Sequence, residues 1–325
     1  MNSVEQAETM PTPHAVRSVL NSTLGILFAL SFCHLLNDAI QALLPAIYPL
    51  LKESFSLSFT QIGLITLTFQ MVGSVFQPVV GSYTDRHPKP YSLVCGMGIT
   101  LSGLVALALA PSYYAVLVAA GMVGLGSAIF HPESSRMARL ASGGNHGFAQ
   151  SLFQVGGNAG SSIGPLLAAG IITRYGRQHI LWFTLLAFAG MFILARVGSW
   201  YRKHLDERRT SNTAEVHHHP VAPAQVPLLL GILLCLMFSK FFYLASMTNY
   251  YTFYLIQRFG SLPGKVGAIA GLFFGFAFGL AGIASAVLGK LADATSIAYV
   301  IKVCSFLPLI GLLTAFLPQL KKEPA

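Results

Sequence analysis

Residues 23–51 read TLGILFALSFCHLLNDAIQALLPAIYPLL. The run is long enough to cross a hydrocarbon core, which takes about 20 apolar residues in a helix. Its only strongly polar residues are His34, Asn37, Asp38 and Gln41. Their spacing of i, i+3, i+4 and i+7 forms one stripe on an α-helix. A charge facing lipid at a helix centre costs about 2.5–3.5 kcal/mol on insertion scales unless it is paired or wet. The stretch therefore reads as a membrane span whose one polar face turns toward neighbouring helices.

The rest of the chain has the same character. Of its 325 residues, 54% are hydrophobic and 10% charged, and the mean hydropathy is +0.63. A soluble domain carries about 25% charged residues, so this chain cannot cover a water-facing surface. The net charge of +9 does not imply a nucleic-acid partner, because the basic residues lie mostly in short loops, as membrane topology predicts. Cys33, Cys95, Cys235 and Cys304 are scattered through apolar segments. They show neither a disulfide framework nor metal-ligand spacing, and read as small packing residues. Residues 1–20 are polar, with no apolar core of a signal peptide, so the first apolar run is expected to be retained as a span.

Applied along the chain, the 20-residue ruler predicts nine spans, near 22–50, 58–82, 91–110, 113–138, 147–172, 178–200, 226–257, 264–289 and 296–318. These long continuous runs exclude the alternating strands of about ten residues that build outer-membrane barrels. The fold class is all-α and polytopic. The expected division is a disordered cytoplasmic N-terminus (1–21), a six-helix bundle (22–200), a cytoplasmic linker (201–225), an incomplete three-helix bundle (226–318) and a tail (319–325). With the N-terminus inside, Arg86, Lys89, Arg136, Arg139, Arg202, Lys203, Arg208 and Arg209 fall in cytoplasmic loops, and Lys52, Arg174, Arg177 and Arg258 fall outside. The balance favours that orientation. The linker contains His217 to His219, but no cysteine or acidic cluster accompanies them, so no metal site is expected.

Polar stripes recur on other spans. The second carries Gln70, Ser74 and Gln77; the fifth carries Gln150, Gln154 and Asn158; the seventh carries Lys240, Tyr243, Met247, Tyr250, Tyr251 and Tyr254. Such groups would be unsatisfied in lipid, so they imply a shared polar interior, with interhelical hydrogen bonding as the alternative use. Lys240 stands mid-span among aromatics, too far from an interface to snorkel. Its ammonium would attract an organic anion, with Tyr243, Tyr250 and Tyr251 adding hydroxyls and flat walls and Asn37 and Gln41 facing them. Asp38 is the best candidate for a proton carrier, with His34 one turn away and Glu133 the second choice. His131, Glu133 and Arg136 near the end of the fourth span read as an ion-pair network, buried or interfacial. No nucleophile or metal signature points to a membrane enzyme.

Two motifs carry a family resemblance. After the second span comes GSYTDRHPKP, with Gly81, Asp85, Arg86 and Lys89 in register. It resembles the signature loop between helices two and three of the major facilitator superfamily, G-x-x-x-D-R/K-x-G-R-R/K, with Pro88 where the second glycine is usual. The fifth span contains Gly160-x-x-x-Gly164-Pro165, then Ala168 and Ala169. Small residues four apart permit close helix contact, and proline favours a bend. This resembles the fifth-helix antiporter motif of the drug-efflux branch, G-x-x-x-G-P-x-x-G-G. The fourth-helix motif R-x-x-Q-G of antiporters is absent. Longer strings, among them SFCHLLNDAIQALLPAIYPLL, FHPESSRMARLASGG and FSKFFYLASMTNYYTFYL, resemble a fosmidomycin-exporting family of bacterial inner membranes over 22–258 and again over 264–318.

The resemblance implies a monomeric drug:proton antiporter that exports fosmidomycin-like small organic anions. It needs no cofactor beyond the proton gradient, and its partners are a small-molecule substrate, protons and the lipid bilayer. The motif aspartate, Asp85 here, would contact charges on neighbouring helices and latch one conformation. An importer or symporter of the same fold is the alternative. The resemblance also implies twelve spans. Helices eight to ten are missing, with the join near 258–265, so a transport-impaired short form is a further alternative.

Overall fold

The computed structural model of the chain describes residues 13–210 and scattered positions between 227 and 306. Among the described residues there are helices and turns but no strand. The first helix, α1 (Pro13–Ala46), is followed by a short α2 (Tyr48–Phe55), then α3 (Phe59–Arg86), α4 (Ser92–Leu109), α5 (Tyr113–Leu140) and α6 (His146–Leu167). One π-turn (Ala168–Ile172), the single turn α7 (Thr173–Tyr175) and a 3₁₀ stretch (Arg177–Phe183) lead into α8 (Thr184–Thr210). A last described helix, α9, covers Ile297–Cys304. Among the described residues, six segments are long and apolar enough to cross a membrane: Thr23–Ala46, Phe59–Arg86, Ser92–Leu109, Tyr113–Leu140, His146–Tyr175 and Arg177–Glu207. They correspond in order to the first six expected spans. Of the last three, α9 lies in the ninth, and only scattered positions of the seventh and eighth are described.

Several boundaries move, each for a local reason. α1 begins at Pro13, inside the segment expected to be disordered, with proline at the first helical position where its missing N–H is harmless. The first span stops at Ala46 because Pro45 and Pro49 bracket a break at Ile47. α2 ends on Ser56 in the left-handed conformation (φ 52, ψ 45). Ser58 and Gln61 then close a reciprocal capping box that starts α3. α3 runs on to Arg86, so Asp85 and Arg86 are helical, and the turn expected to hold them is 87–91 instead. α8 extends through residues expected to begin the linker, since Trp200 to Arg209 is rich in helix formers. Pro165 is followed three residues on by the π-turn, the bend expected from its missing donor.

Glycines set the closest helix crossings. α6 lies against α1, where a Cβ on Gly156 or Gly160 would collide with the carbonyl oxygens of Ser31 and Leu35 respectively. A Cβ on Gly164 would stand 2.5 Å from the Ala39 oxygen. Gly124 of α5 approaches Phe69 and Gly73 of α3, and Gly126 of α5 meets Gly96 and Thr100 of α4. With lipid as apolar as the side chains, close backbone packing of this kind replaces hydrophobic burial as the glue. The outward face of α3 carries exposed Leu67, Met71, Val75 and Val79, and Gln70 and Ser74 are exposed on the same helix.

Candidate functional site: a carboxylate between two imidazoles

The stripe on α1 meets one histidine from α5. Asp38 stands eight residues from the end of α1, about 12 Å at 1.5 Å per residue, well inside the span. Its Oδ2 is 3.3 Å from His34 Nε2. Its Oδ1 is 3.5 Å from His131 Nε2, and accepts from Asn37 Nδ2 at 3.1 Å and Gln41 Nε2 at 3.5 Å. The His34 side chain is 2% exposed, Asp38 16% and His131 30%, so the cluster is open on its α5 side. Asn37 is fully buried.

Both rings are held by their other nitrogen. His34 Nδ1 is 2.8 Å from the carbonyl oxygen of Phe153 on α6, and the ring stacks on that of Phe153 at 4.0 Å. His131 Nδ1 is 3.0 Å from the Ser127 carbonyl. Ser127 Oγ donates to Gln41 Oε1 at 3.0 Å, which leaves it to accept from His131 Nδ1 at 3.2 Å. A carbonyl oxygen only accepts, so each Nδ1 carries the hydrogen and each Nε2 faces the carboxylate. Gly157 makes room for this: a Cβ there would collide with the His34 ring and lie 2.9 Å from Asp38 Oδ2. The small-residue stripe of α6 thus does two jobs, helix contact and clearance for the cluster.

The expected trio of His131, Glu133 and Arg136 is divided by the structure. His131 belongs to the Asp38 cluster. Glu133, 1% exposed, pairs with Arg136, whose Nη2 stands 2.9 Å from each carboxylate oxygen. Ser92 of α4 donates to Glu133 Oε2 at 2.6 Å. Arg136 Nη1 donates to the Thr84 carbonyl of α3 at 3.0 Å and lies 3.9 Å from Asp85 Oδ1. Its guanidinium also sits 5.4 Å from the Tyr201 ring of α8. The division follows from helix phase: 131 and 133 are two residues apart, about 200° around an α-helix. This second network is a clamp between α3, α4, α5 and α8. Removing one partner of a buried pair strands the other, at about 3–5 kcal/mol. Arg136→Ala is therefore expected to destabilise the bundle by that order; a melting curve in detergent indistinguishable from the unmutated chain would contradict it.

The remaining candidates are placed as follows. Gln150 accepts from Ser135 of α5 at 3.2 Å, and Gln154 donates to Asn158 at 3.5 Å. Beside Gly81, Pro132 Cβ stands 3.8 Å from an added Cβ. An open groove beside it is lined by Gln77, Ser82, Asp85 and Arg86. Arg86 and Lys89 are exposed. Lys240, Tyr243, Tyr250 and Tyr251 lie outside the described residues. Sequence reasoning missed Ser127, Phe153, Gly157, Ser92 and Tyr201. Only Gly157 had a legible signal, its place in the small-residue run of α6.

The family model of the Major Facilitator Superfamily matches residues 27–323. The chain is 44% identical to the fosmidomycin resistance protein of Escherichia coli (strain K12), covering 97% of this chain and 98% of that protein. It is 32% identical to the MFS-type transporter YfnC of Bacillus subtilis (strain 168), covering 91% and 93%. The first alignment runs over 398 positions against 325 residues in this chain, so at least 73 positions of it face no residue here. Two solved structures of a bacterial homologue of the lysosomal transporter Spinster, both inward-facing, share the fold at TM-scores of 0.62 and 0.63 and 15% identity. They cover 84% and 89% of this chain, which spans only 63% and 64% of their length.

Proposed function

The chain belongs to the major facilitator superfamily of membrane transporters, and on that premise we propose that it is a proton-coupled exporter of fosmidomycin-like small organic anions. The observation that carries the coupling is a carboxylate inside a membrane span, gripped by two imidazoles from different helices. An ionisable group at that depth is retained for function by default. Asp38 is the proton carrier in this reading, with His34 beside it; Glu133, tied up by Arg136 and Ser92, serves the clamp. The substrate class is supported by 44% identity to the fosmidomycin resistance protein. The basic residues around Arg86, Arg139 and Arg202 support a cytoplasmic N-terminus in a bacterial inner membrane.

Lys240 supplies the positive pole for the anion. Lys240→Ala is expected to weaken transport of a phosphonate by roughly tenfold or more, about 1.4 kcal/mol, and that of a neutral compound much less. Equal losses for both would remove the charge role. The whole reading is tested by fosmidomycin susceptibility of cells expressing the chain and by substrate movement in everted vesicles with an imposed proton gradient. Uptake into everted vesicles against an inward-acid gradient reads as export; movement in the opposite sense would support an importer.

A second reading rests on the 73 or more absent positions. They amount to about three spans, and alternating access needs two opposed halves. In that reading this short chain transports poorly, and supplying the absent segment from the Escherichia coli relative restores protection.

A further inference from the structure

We propose that His34, Asp38 and His131 form a binding site for a divalent transition-metal ion of the zinc class. The three ligand atoms lie within 4.8 Å of one another. The His34–Asp38 and His131–Asp38 separations are 3.3 and 3.5 Å. Two donors on a tetrahedral zinc, each about 2.0–2.1 Å from the ion, stand about 3.3 Å apart. Each imidazole is at edge distance from its own carboxylate oxygen, His34 from Oδ2 and His131 from Oδ1, so the carboxylate would grip the ion through both oxygens or turn to offer one, and the two imidazoles would close on each other.

The second observation is how the rings are held. A metal-bound histidine typically donates its other N–H to a carbonyl or carboxylate, which fixes the tautomer and aims the ring. Both rings do so here, to the Phe153 and Ser127 carbonyls. With both Nδ1 atoms committed to carbonyls, each Nε2 faces the carboxylate at 3.3 and 3.5 Å, a contact that calls for a cation in it, either a proton on the ring or a metal ion shared by the ligands. Two imidazoles and one carboxylate suit zinc-like ions over magnesium or calcium, which prefer oxygen. A fourth donor is at hand. Asn37 Oδ1 is buried without a hydrogen-bond partner among the described residues, and a half-turn of its amide exchanges it with Nδ2, now 3.1 Å from Asp38 Oδ1. Because the ligands come from α1 and α5, a bound ion would bridge those helices and would occupy the carboxylate that the export reading assigns to the proton.

The test uses the purified full chain, free of any polyhistidine tag and with His217, His218 and His219 replaced by alanine to remove the competing histidine run. Zinc is titrated calorimetrically and the retained metal is counted by mass spectrometry; no transport assay is involved, so the result stands whether or not the export reading holds. One zinc per chain is expected, with affinity falling roughly 10- to 100-fold or more in His131→Ala. His131→Cys, which restores a ligand, should keep the metal, and its cobalt complex should gain a thiolate charge-transfer band absent from the parent. Absence of stoichiometric zinc, or zinc retained undiminished in His131→Ala and His34→Ala, would overturn the site. If the alanine variant does not fold, the cobalt spectrum of His131→Cys decides, and a spectrum without the thiolate band counts against it.

Discussion

Asp38→Asn is expected to reduce proton-driven export to the background of empty vesicles while leaving the bundle folded. Asparagine keeps the volume of the carboxylate, so the clearance left by Gly157 still suffices. Its amide can donate to one of the two Nε2 atoms that now face Asp38 at 3.3 and 3.5 Å, replacing an ion pair by a neutral hydrogen bond. What it removes is the exchangeable proton and the charge. The expected signature is normal expression and thermal stability with no substrate movement on a pH jump. It is measured in this chain and in a version with the absent segment restored, since a background without transport shows nothing. Full export by the asparagine variant would refute Asp38 as the carrier. Asp38→Glu sharpens the result: the charge stays, but one added methylene disturbs the grip of both rings, so partial activity is expected.

The largest structural loss is expected from Gly160→Val. A Cβ at this position runs into the Leu35 carbonyl and comes within 2.9 Å of the Ala39 nitrogen. Both obstacles are backbone, so no rotamer change relieves them, and α6 must move off α1. Overpacking a tight interface costs about 1–3 kcal/mol. The upper end or beyond is expected here, because the displacement also pulls the Phe153 carbonyl and ring from His34. Loss of most folded protein, or a sharply lowered melting temperature by fluorescence size exclusion, is the expected outcome. Gly170→Ala is the control, with no described residue within 4 Å of its added Cβ. If both variants melt alike, close α1–α6 contact is not what the glycines provide.

Much of the fold was legible because the bilayer imposes a simple code. Length and continuous hydropathy placed six spans within a few residues, and the misplaced ends trace to capping chemistry: Pro13, the Pro45–Pro49 pair, the Ser58–Gln61 box. The i, i+3, i+4, i+7 stripe announced a polar face before any helix was packed. Its partner was less legible. His131 stands two residues from Glu133 and three from Ser134, and its string reads naturally as one charged patch. The opposite faces of one α5 turn send His131 to Asp38 and Glu133 to Ser92 and Arg136.

The sequence by itself determined an all-helical membrane transporter, the polar face of α1 and the small-residue face of α6, because hydropathy, helical period and glycine spacing are local properties. Only the tertiary structure decided which residues share a site. His34 and His131 are 97 positions apart, and no local pattern reports that two backbone carbonyls lock both rings toward one carboxylate. That outcome depends on how close α6 comes to α1, and the glycines permit that distance without encoding what meets across it.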